Sequence, residues 1–296
     1  MGKKVTIVHS PEYANWFFSA DHPTQGRRFI NGYNLIASDQ RILEPRPATA
    51  AELSRIHSPA YIEEVTQEFL CPEWSGVRED LARFATLFAG GTLVALDALI
   101  NNEADVAIHL PGAKHHAQYD HSSGFCVFND FALAADIATK DHGLKVAIID
   151  IDAHHGDGVE NLTRENPSVM TFSIHEQGIF PGTGNSDEPE KQVFNFPLTA
   201  ATTGLGDDGL LAGINRFIPI ARAFQPDLLF ITSGADGLAE DPLTNLQYTV
   251  TGYSAAARFL AKGFPDTLML MGGAGGYLPD SGTPEVWAAV AAELSR

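Results

Sequence analysis

The chain has 296 residues, of which 44% are hydrophobic, 9% aromatic and 19% charged. This composition is typical of a globular protein and excludes a fibrous or disordered class. Nineteen basic residues against 37 acidic ones give a formal net charge of −18. Because this charge repels nucleic-acid phosphates and weakly favours cationic ligands, we expect no direct nucleic-acid partner. The charge is first of all a surface property that favours solubility.

Two features of the sequence concern the compartment. The cysteines, Cys71 and Cys126, are too few for a disulfide framework and suit a reducing environment. The first ten residues, MGKKVTIVHS, lead into a β-like run and lack the apolar core and cleavage site of a signal peptide. No 18-residue apolar span predicts a membrane helix. We therefore expect a cytoplasmic protein with no membrane partner.

Short apolar runs predict β-strands, and longer segments between them predict helices. In chain order, strands are predicted at 5–9, 105–110, 145–152, 169–175, 193–198, 227–236 and 267–273, and helices at 79–100, 129–140, 207–224 and 249–263. Continuous apolar runs are typical of strands buried on both faces. The alternation favours an α/β fold, with one domain over residues 1–296 and an open, mostly parallel sheet flanked by helices. Segments 10–28 and 69–78 are predicted to be long functional loops.

Polar residues are concentrated directly after four of the predicted strands. These segments are PGAKHHAQYDHSSGFCVFND from residue 111, DIDAHHGDG from 150, GADGLAEDP from 234 and GGAGGY from 272. In a parallel α/β sheet, ligands bind beyond the carboxyl ends of the strands. We therefore expect these four segments to meet and form one site.

The segment from residue 150 has the pattern of a metal site. If the strand persists to its end, its period of two places Asp150, Asp152 and His154 on one side. Asp236, after another strand, is the natural third ligand beside Asp152 and His154. Zinc accepts such a set with a position left for water, and ferrous iron is the alternative because it also accepts mixed Asp/His ligands. An isolated Asp-x-His pair is more often a surface or cap pair, but so many polar groups at a buried strand end favour a metal.

Two further segments supply candidate catalytic groups. His115 and His116 are expected to face the same crevice, where histidine exchanges protons near neutral pH. Asp150 and Asp157 are candidates to orient the two imidazoles. The glycine run lacks a phosphate-binding pattern, so it predicts close backbone approach to a pocket with Tyr277 as a hydrogen-bond donor. A polar turn at the histidine pair and a packed structural tyrosine remain open as alternatives.

Taken together, the motifs resemble the zinc-dependent histone deacetylase superfamily, which includes acetoin-utilisation proteins and acetylpolyamine amidohydrolases. The resemblance covers most of the chain in the family's order: HPTQGRR at 22–28, HSPAYIEEV at 57–65, PGAKHHA, SGFCVFND, DIDAHHGDGVE, FPGTG at 180–184, GADGLAEDP and GGY at 275–277. It implies an arginase-like open α/β fold. It also implies hydrolysis of an acetylated lysine, or of another acetylated amine, to acetate and the free amine.

The resemblance assigns roles to individual residues. The implied zinc ligands are Asp152, His154 and Asp236. The implied catalytic residues are His115 and His116, paired with Asp150 and Asp157 respectively, and Tyr277. The resemblance also implies a narrow substrate tunnel. Phe125 and Phe180 would form its walls, and the carbonyl of Gly124 would bind the substrate amide. Arg28 falls near an internal exit cavity, and a structural potassium ion is implied at Asp150, Ser173 and the backbone of Asp152, His154 and Ile174.

The implied mechanism divides the work among these groups. His116 is the general base that later protonates the leaving amine, while His115 tunes the site electrostatically. Tyr277 donates a hydrogen bond to the developing oxyanion.

The sequence also departs from the family pattern: Ala274 interrupts the glycine run, Leu278 and Pro279 follow Tyr277 where many relatives have Asn and Leu, and Lys114 adds a cation. At Leu243, polyamine-selective relatives can have an acidic residue, so polyamine preference is not supported there, although the acidic surface leaves it open.

Two other function classes compete with the deacetylase interpretation. An arginase-like binuclear manganese hydrolase would need carboxylates where this chain has Gly156 and Gly234, so its second metal would lose two ligands. A catalytically silent module that binds acylated ligands would be favoured by loss of a metal ligand, the histidine pair or the tyrosine, and all of these are present. The sequence leaves the physiological substrate, the native metal and the oligomeric state open.

Overall fold

Eight β-strands form one sheet in the computed structural model, which describes residues 2–37 and 40–296. Every strand pair in this sheet is parallel. The strands are β1 Val5–Val8, β2 Arg41–Leu43, β3 Val106–His109, β4 Val146–Asp150, β5 Val169–Glu176, β6 Val193–Leu198, β7 Leu228–Thr232 and β8 Leu268–Gly272. Their order across the sheet is β2-β1-β3-β8-β7-β4-β5-β6. The predicted α/β class with an open parallel sheet is confirmed.

Helices are the other main elements of the described residues. The α-helices are α1 Arg27–Ile36, α2 Ala50–Leu53, α3 Pro59–Thr66, α4 Glu79–Ile100, α5 Asp130–Lys140, α6 Asp157–Thr163, α7 Asp207–Phe224, α8 Val250–Gly263 and α9 Gly282–Leu294. Short 3-10 helices lie at Pro11–Asn15 and Pro189–Lys191. The four predicted helices are present. Two of them begin one residue later than predicted because Asn129 and Thr249 are the N-cap residues, whose side chains accept backbone N–H groups of α5 and α8.

The central strands are buried along their whole length, which accounts for their continuous apolar sequences. Every residue of β3, β4 and β7 is buried, and each fully buried aliphatic side chain stabilises the fold by about 1.5–3 kcal/mol. Strands covered on both faces must be apolar throughout, which gives the continuous runs. The predictions for 145–152 and 227–236 were too long, since these strands end at Asp150 and Thr232.

Helix α4 corrects one expectation about membranes. By length and composition alone, Glu79–Ile100 is long and apolar enough to cross a membrane, contrary to the expectation that no such span exists. In the fold, however, 72% of its apolar window is buried, and it packs against α5 and the strands β1, β3 and β8. Its apolar character is therefore that of a core helix.

The sheet register brings the four polar segments together. Strands β3, β8, β7 and β4 are consecutive neighbours. Their last residues pair in one row, with His109 beside Gly272, Gly272 beside Thr232, and Thr232 beside Asp150. Segments that are distant in sequence therefore leave the sheet at the same level and at the same edge, where parallel α/β sheets bind ligands.

Candidate metal centre and active site

A tight turn after β4 builds the candidate metal cluster. The strand ends at Asp150, and each carboxylate then accepts the backbone N–H two residues further on: Asp152 N–H donates to Asp150 and His154 N–H donates to Asp152, both over 2.9 Å. Asp and Asn favour such turns because their side chains reach nearby backbone donors. Asp236 is tied to the same turn by the N–H of Ala153, 2.9 Å from its Oδ1. This turn, and not a continued strand, brings the ligands together.

The residues Asp152, His154 and Asp236 fit a metal ion. One ligand atom from each lies within 4.8 Å of the others, and all three residues are buried. His154 Nδ1 is 2.9 Å from Asp236 Oδ2 and 3.2 Å from Asp152 Oδ1. Burial, together with the charge of Asp152, raises the pKa of Asp236 to about 7. Because crowded buried carboxylates need a compensating cation, this donor set is suited to a divalent metal.

Glycines leave no room for a second metal of the binuclear type. A Cβ at Gly156 would lie 2.5 Å from Asp150 Oδ2, and one at Gly234 would lie 2.1 Å from Asp152 Oδ2. These are the two positions where an arginase-like site needs further carboxylates. Across the part of the chain that the structure describes, Asp152, His154 and Asp236 form the one group of three metal-binding side chains. The arrangement is therefore that of a site for one metal.

The histidine pair lies beside this cluster in two different electrostatic environments. His115 Nδ1–H donates to Asp150 and His116 Nδ1–H donates to Asp157, each over 2.7 Å. Burial alone would lower the pKa of His115, but the charges of Asp150 and Asp152 outweigh it and raise the pKa to about 9. Burial, followed by the positive charge of His115, lowers the pKa of His116 to about 4. One imidazole is thus charged and the other neutral near pH 7.

Residues that the sequence interpretation left without a role hold the loop of the histidine pair. Asp130 accepts the backbone N–H groups of Ala113 (2.9 Å) and Lys114 (2.6 Å). Asn129 Nδ2 donates to the carbonyl of Ala117 over 3.1 Å, and its own N–H donates to Nε2 of His57 over 3.0 Å. The motifs SGFCVFND and HSPAY signalled these residues, but only the fold shows which backbone groups they reach.

The backbone of Tyr277 is held on both sides. Its N–H donates to Asp241 over 2.8 Å, and the carbonyl of Gly276 accepts from Arg28 Nη1 over 2.6 Å. Burial raises the pKa of the Tyr277 phenol well above its ordinary value, so the phenol keeps its proton and can donate a hydrogen bond. Ala274, the departure within the glycine run, adopts a left-handed backbone with φ 50° and does not displace the tyrosine from the cavity lining.

Two phenylalanine rings pack against the side chains of Tyr277 and His116. The Phe125 ring meets the Tyr277 ring edge-on at 6.1 Å, and the Phe180 ring lies 5.0 Å from that of His116. Phe180 is 49% exposed. Gly124 has φ 53°, and a Cβ there would lie 2.4 Å from the His116 ring. Glycine is therefore required where the backbone passes the His116 imidazole.

His155 is buried and connects the cluster to the loop of Phe180. Its Nε2–H donates to Glu160 over 2.9 Å, and its Nδ1 accepts the hydroxyl of Thr183 over 2.8 Å. Thr183 belongs to the FPGTG motif at 180–184, so this hydrogen bond fixes the loop whose first residue is Phe180. Spacing alone gave no signal for this contact.

The structure pairs two of the five residues predicted to hold potassium. Asp150 and Ser173 are paired residues of the neighbouring strands β4 and β5. The Ser173 hydroxyl also lies 3.0 Å from Nδ1 of His175. Arg28, predicted near an internal cavity, is buried and lines the cavity that His115, His116 and Tyr277 share.

The fold and the cluster define a class of metal-dependent hydrolase built on an open parallel sheet. The family model of the histone deacetylase domain matches residues 22–294 of this chain. The chain therefore belongs to the histone deacetylase family, and its activity is that of a hydrolytic deacetylase.

Similar proteins agree with this assignment. The chain is 34% identical to the acetoin utilization protein AcuC of Bacillus subtilis (strain 168), over 97% of this chain and 81% of the relative. It is 31% identical to the protein of the same name from Staphylococcus aureus (strain MRSA252), over 97% and 80% respectively. Histone deacetylase 9 of Arabidopsis thaliana is 32% identical over 94% of this chain and 70% of the relative.

Proposed function

We propose that the protein is a zinc-dependent deacetylase that hydrolyses the amide of an acetyl-lysine-type substrate to acetate and the free amine. One observation carries this proposal: the Asp-His-Asp cluster, the histidine pair and the tyrosine meet around one cavity. Members from each group line it, namely His115, His116, Asp152 and Tyr277. Asp152, His154 and Asp236 would hold the zinc, with ferrous iron as the alternative ion. When bound, such an ion polarises an acyl carbonyl and acidifies a water molecule.

The two histidines take different roles because their charges differ. His116 is neutral, and Asp157 accepts its Nδ1–H, so its Nε2 is free to take a proton from water as a general base. The same imidazole then gives this proton to the leaving amine. His115 is charged and held by Asp150, and it supplies positive potential beside the reacting carbonyl without itself transferring the proton.

Tyr277 and the tunnel residues position the substrate. The Tyr277 phenol donates to the carbonyl oxygen as negative charge develops on it. Phe125 and Phe180 flank the straight aliphatic chain of a lysine side chain, and the Gly124 carbonyl accepts the N–H of the amide.

An acetylpolyamine is the second candidate substrate, favoured by the net charge of −18. Leu243, 40% exposed, offers no carboxylate to its second amine, which favours acetyl-lysine.

We also propose a structural potassium ion, a single catalytic domain and a cytoplasmic location. We place a structural potassium ion at Asp150 and Ser173, where the paired strands bring both side chains together, with the backbone of Asp152, His154 and Ile174. A single catalytic domain over 1–296 is supported by the one sheet that contains every named strand. A cytoplasmic location is supported by the two unpaired cysteines, Cys71 and Cys126.

An activity screen with metal analysis tests the proposal. Zinc-loaded and iron-loaded protein are incubated with acetyl-lysine peptides, acetylpolyamines and small acetamides, and released acetate and free amine are measured. We expect acetate release with acetyl-lysine peptides as the best substrates, and hydroxamates should bind. No acetate from any substrate, together with no hydroxamate binding, would contradict the deacetylase proposal. Acetylpolyamines as the best substrates would replace acetyl-lysine with the second candidate.

A further inference from the structure

Four fully buried polar side chains form a row of hydrogen bonds that ends at the loop of the histidine pair. These side chains, which we call the buried relay, are Tyr13, His109, Thr92 and Asp130. The Tyr13 hydroxyl lies 3.1 Å from Nε2 of His109. Nδ1 of His109 lies 2.9 Å from the Thr92 hydroxyl, which lies 2.5 Å from Oδ2 of Asp130. Because buried polar groups are costly unless paired, a row in which each is paired makes its surroundings rigid.

The chemistry of the four groups gives the hydrogen bonds one direction. Both oxygens of Asp130 already accept backbone N–H groups of the neighbouring loop, so the Thr92 hydroxyl donates to Asp130. This uses the one hydroxyl proton, and the Thr92 oxygen therefore accepts from His109 Nδ1–H. Burial lowers the pKa of His109 to about 3, so its ring is neutral and Nε2 accepts from the Tyr13 hydroxyl. Each member of the buried relay thus donates toward Asp130.

Two glycines leave the space that the buried relay occupies. A Cβ at Gly91 would lie 2.5 Å from Nε2 of His109. A Cβ at Gly112 would lie 2.9 Å from Oγ1 of Thr92 and 3.0 Å from Oδ2 of Asp130. These distances are too short for a relaxed side chain. The relay therefore fills the contact between α4, which contains Gly91, and the loop after β3, which contains Gly112.

The buried relay ends at a strained turn. Ala113, two residues before His115, has a left-handed backbone with φ 64°, which residues with a Cβ rarely adopt. The N–H groups of Ala113 and Lys114 donate to Asp130 over 2.9 and 2.6 Å. Strain of this kind persists only where the surrounding contacts impose it. Asp130 is such a contact, and the Thr92 hydroxyl in turn holds Asp130.

We propose that Thr92 and His109 are positioning residues for the catalytic histidine pair. They act through Asp130, which holds the turn that sets where His115 and His116 lie relative to the metal cluster. The inference rests on the proposed function, in which these two imidazoles act on the substrate. A misplacement of about 1 Å costs on the order of 10²-fold in rate, so a small change in the turn slows the chemical step. Neither Thr92 nor His109 lines the catalytic cavity, so substrate binding should not depend on them.

Thr92→Val tests the buried relay with the smallest change in shape. A methyl group replaces the hydroxyl, so Asp130 loses a donor and His109 Nδ1–H loses its acceptor. The zinc-loaded protein is assayed with its best acetylated substrate. We expect kcat to fall about tenfold, while KM and zinc content stay at the wild-type values. Thr92→Ser retains the hydroxyl and should restore most of kcat.

A second buried threonine separates positioning from a general loss of stability. The Thr139 hydroxyl donates to the carbonyl of Ala135 within α5. Thr139→Val makes the same chemical change outside the buried relay, so it should lower the melting temperature and leave kcat unchanged. A wild-type kcat in Thr92→Val, or an equal fall of kcat in Thr139→Val, would overturn the proposal.

Two variants of His109 keep the proposal testable if Thr92→Val does not fold. The side-chain amide of His109→Asn can still donate to Thr92, as Nδ1–H does, whereas His109→Leu has no donor. We expect a lower kcat in His109→Leu than in His109→Asn, at equal KM and zinc content. Equal kcat in the two variants would overturn the proposal.

The imidazole protons of the histidine pair give a measurement that needs no turnover. In protein labelled with ¹⁵N-histidine, the Nδ1–H groups of His115 and His116 are observed by NMR, since each is hydrogen-bonded to a carboxylate. We expect their chemical shifts to move in Thr92→Val, to return in Thr92→Ser and to stay unchanged in Thr139→Val. Wild-type shifts in Thr92→Val would overturn the proposal. Moved shifts in a protein that hydrolyses no acetamide would refute the proposed function and leave the positioning of the pair standing.

Discussion

The acidic and basic parts of the cavity are built differently, although they share one lining. Each carboxylate of the metal cluster already accepts hydrogen bonds: Asp152 from His154 N–H and Gly275 N–H, and Asp236 from Ala153 N–H. The basic part, made of Arg28 and Lys114, has the reverse property: Arg28 Nε is buried without a hydrogen-bond partner among the described residues, and the Lys114 ammonium lies near the rings of Phe29 and Phe88. The acidic part is therefore pre-organised for a cation, whereas the basic part keeps a buried donor without an acceptor among the described residues.

Removing one charge from the acidic part should have the largest effect. Asp236→Asn keeps the shape but lowers the charge around the metal position. We expect metal loss and a fall in acetate release of at least about 1000-fold, since the ion contributes several kcal/mol to the transition state. Metal content and turnover are measured on the same sample. Asp187→Asn, at a carboxylate that accepts the N–H of Asn195 in β6, is the control, and normal zinc content with normal turnover in Asp236→Asn would refute the ligand assignment.

A Tyr277 variant should distinguish activation of the substrate carbonyl from metal binding. Tyr277→Phe removes only the phenol oxygen, so metal content and KM should stay near the wild-type values. We expect kcat to fall about 10²–10³-fold, as for other oxyanion donors. Tyr33→Phe, at a tyrosine whose ring stacks on His9 and which does not line the cavity, should be neutral. Unchanged kcat in Tyr277→Phe would remove this residue from its proposed role.

A smaller effect is expected at the tunnel wall. Thr183→Val deletes the hydrogen bond from Thr183 to His155 and so loosens the loop of Phe180. We expect KM for an acetyl-lysine peptide to rise about threefold to tenfold with little change in kcat, in line with one net hydrogen bond. Thr267→Val, at the amino end of β8, is the matched control. A fall in kcat at constant KM would show that the loop acts on the chemistry and not on substrate binding.

The free energy of unfolding should depend on pH through His57, whose ring supports the loop of the histidine pair. Burial lowers the pKa of His57 to about 4, against an ordinary value of about 6.5. Its neutral ring accepts Asn129 N–H and donates to the Gln118 carbonyl. Because His57 takes up a proton less readily in the folded state than in the unfolded state, its neutral ring stabilises the fold fully above about pH 6.5. This stabilisation is lost toward pH 4, by up to about 1.4 kcal/mol per pH unit.

Denaturant unfolding at pH 7, 6 and 5 measures this effect. His57→Gln has no titratable ring, so its free energy of unfolding should fall less steeply with pH than that of the wild type. The difference between the two slopes isolates His57 from the other buried histidines, such as His109 and His175. Parallel slopes would contradict the assignment of a neutral buried His57.

The sequence predicted the central sheet because burial on both faces forces continuous apolar runs. It did not predict β2, since this strand at the sheet edge beside β1 has three residues and is largely exposed. Helix α9 was also missed. It has buried residues around most of its circumference, among them Val286, Trp287 and Leu294, so its sequence lacks the one-sided periodicity of a surface helix.

The candidate site was predictable to the extent that polar residues at buried strand ends are unusual. Asp152, His154 and Asp236 could be named for this reason, and the row of strand ends shows why they meet. The contacts of Asp130 and Asn129 could not be predicted, because they depend on which backbone groups the folded loop presents. Nor does the sequence show that Arg28 Nε has no hydrogen-bond partner among the described residues, because a missing partner is a property of the whole packed cavity.

The central claim is that one buried Asp-His-Asp cluster holds one catalytic metal. Titration of the metal-free protein with zinc, while acetate release from an acetyl-lysine peptide is followed, tests it most directly. We expect activity to rise linearly and to reach its maximum at one equivalent of zinc, and Asp152→Asn to show no rise over the same range. Full activity without added metal, or a maximum reached only at two equivalents, would contradict it.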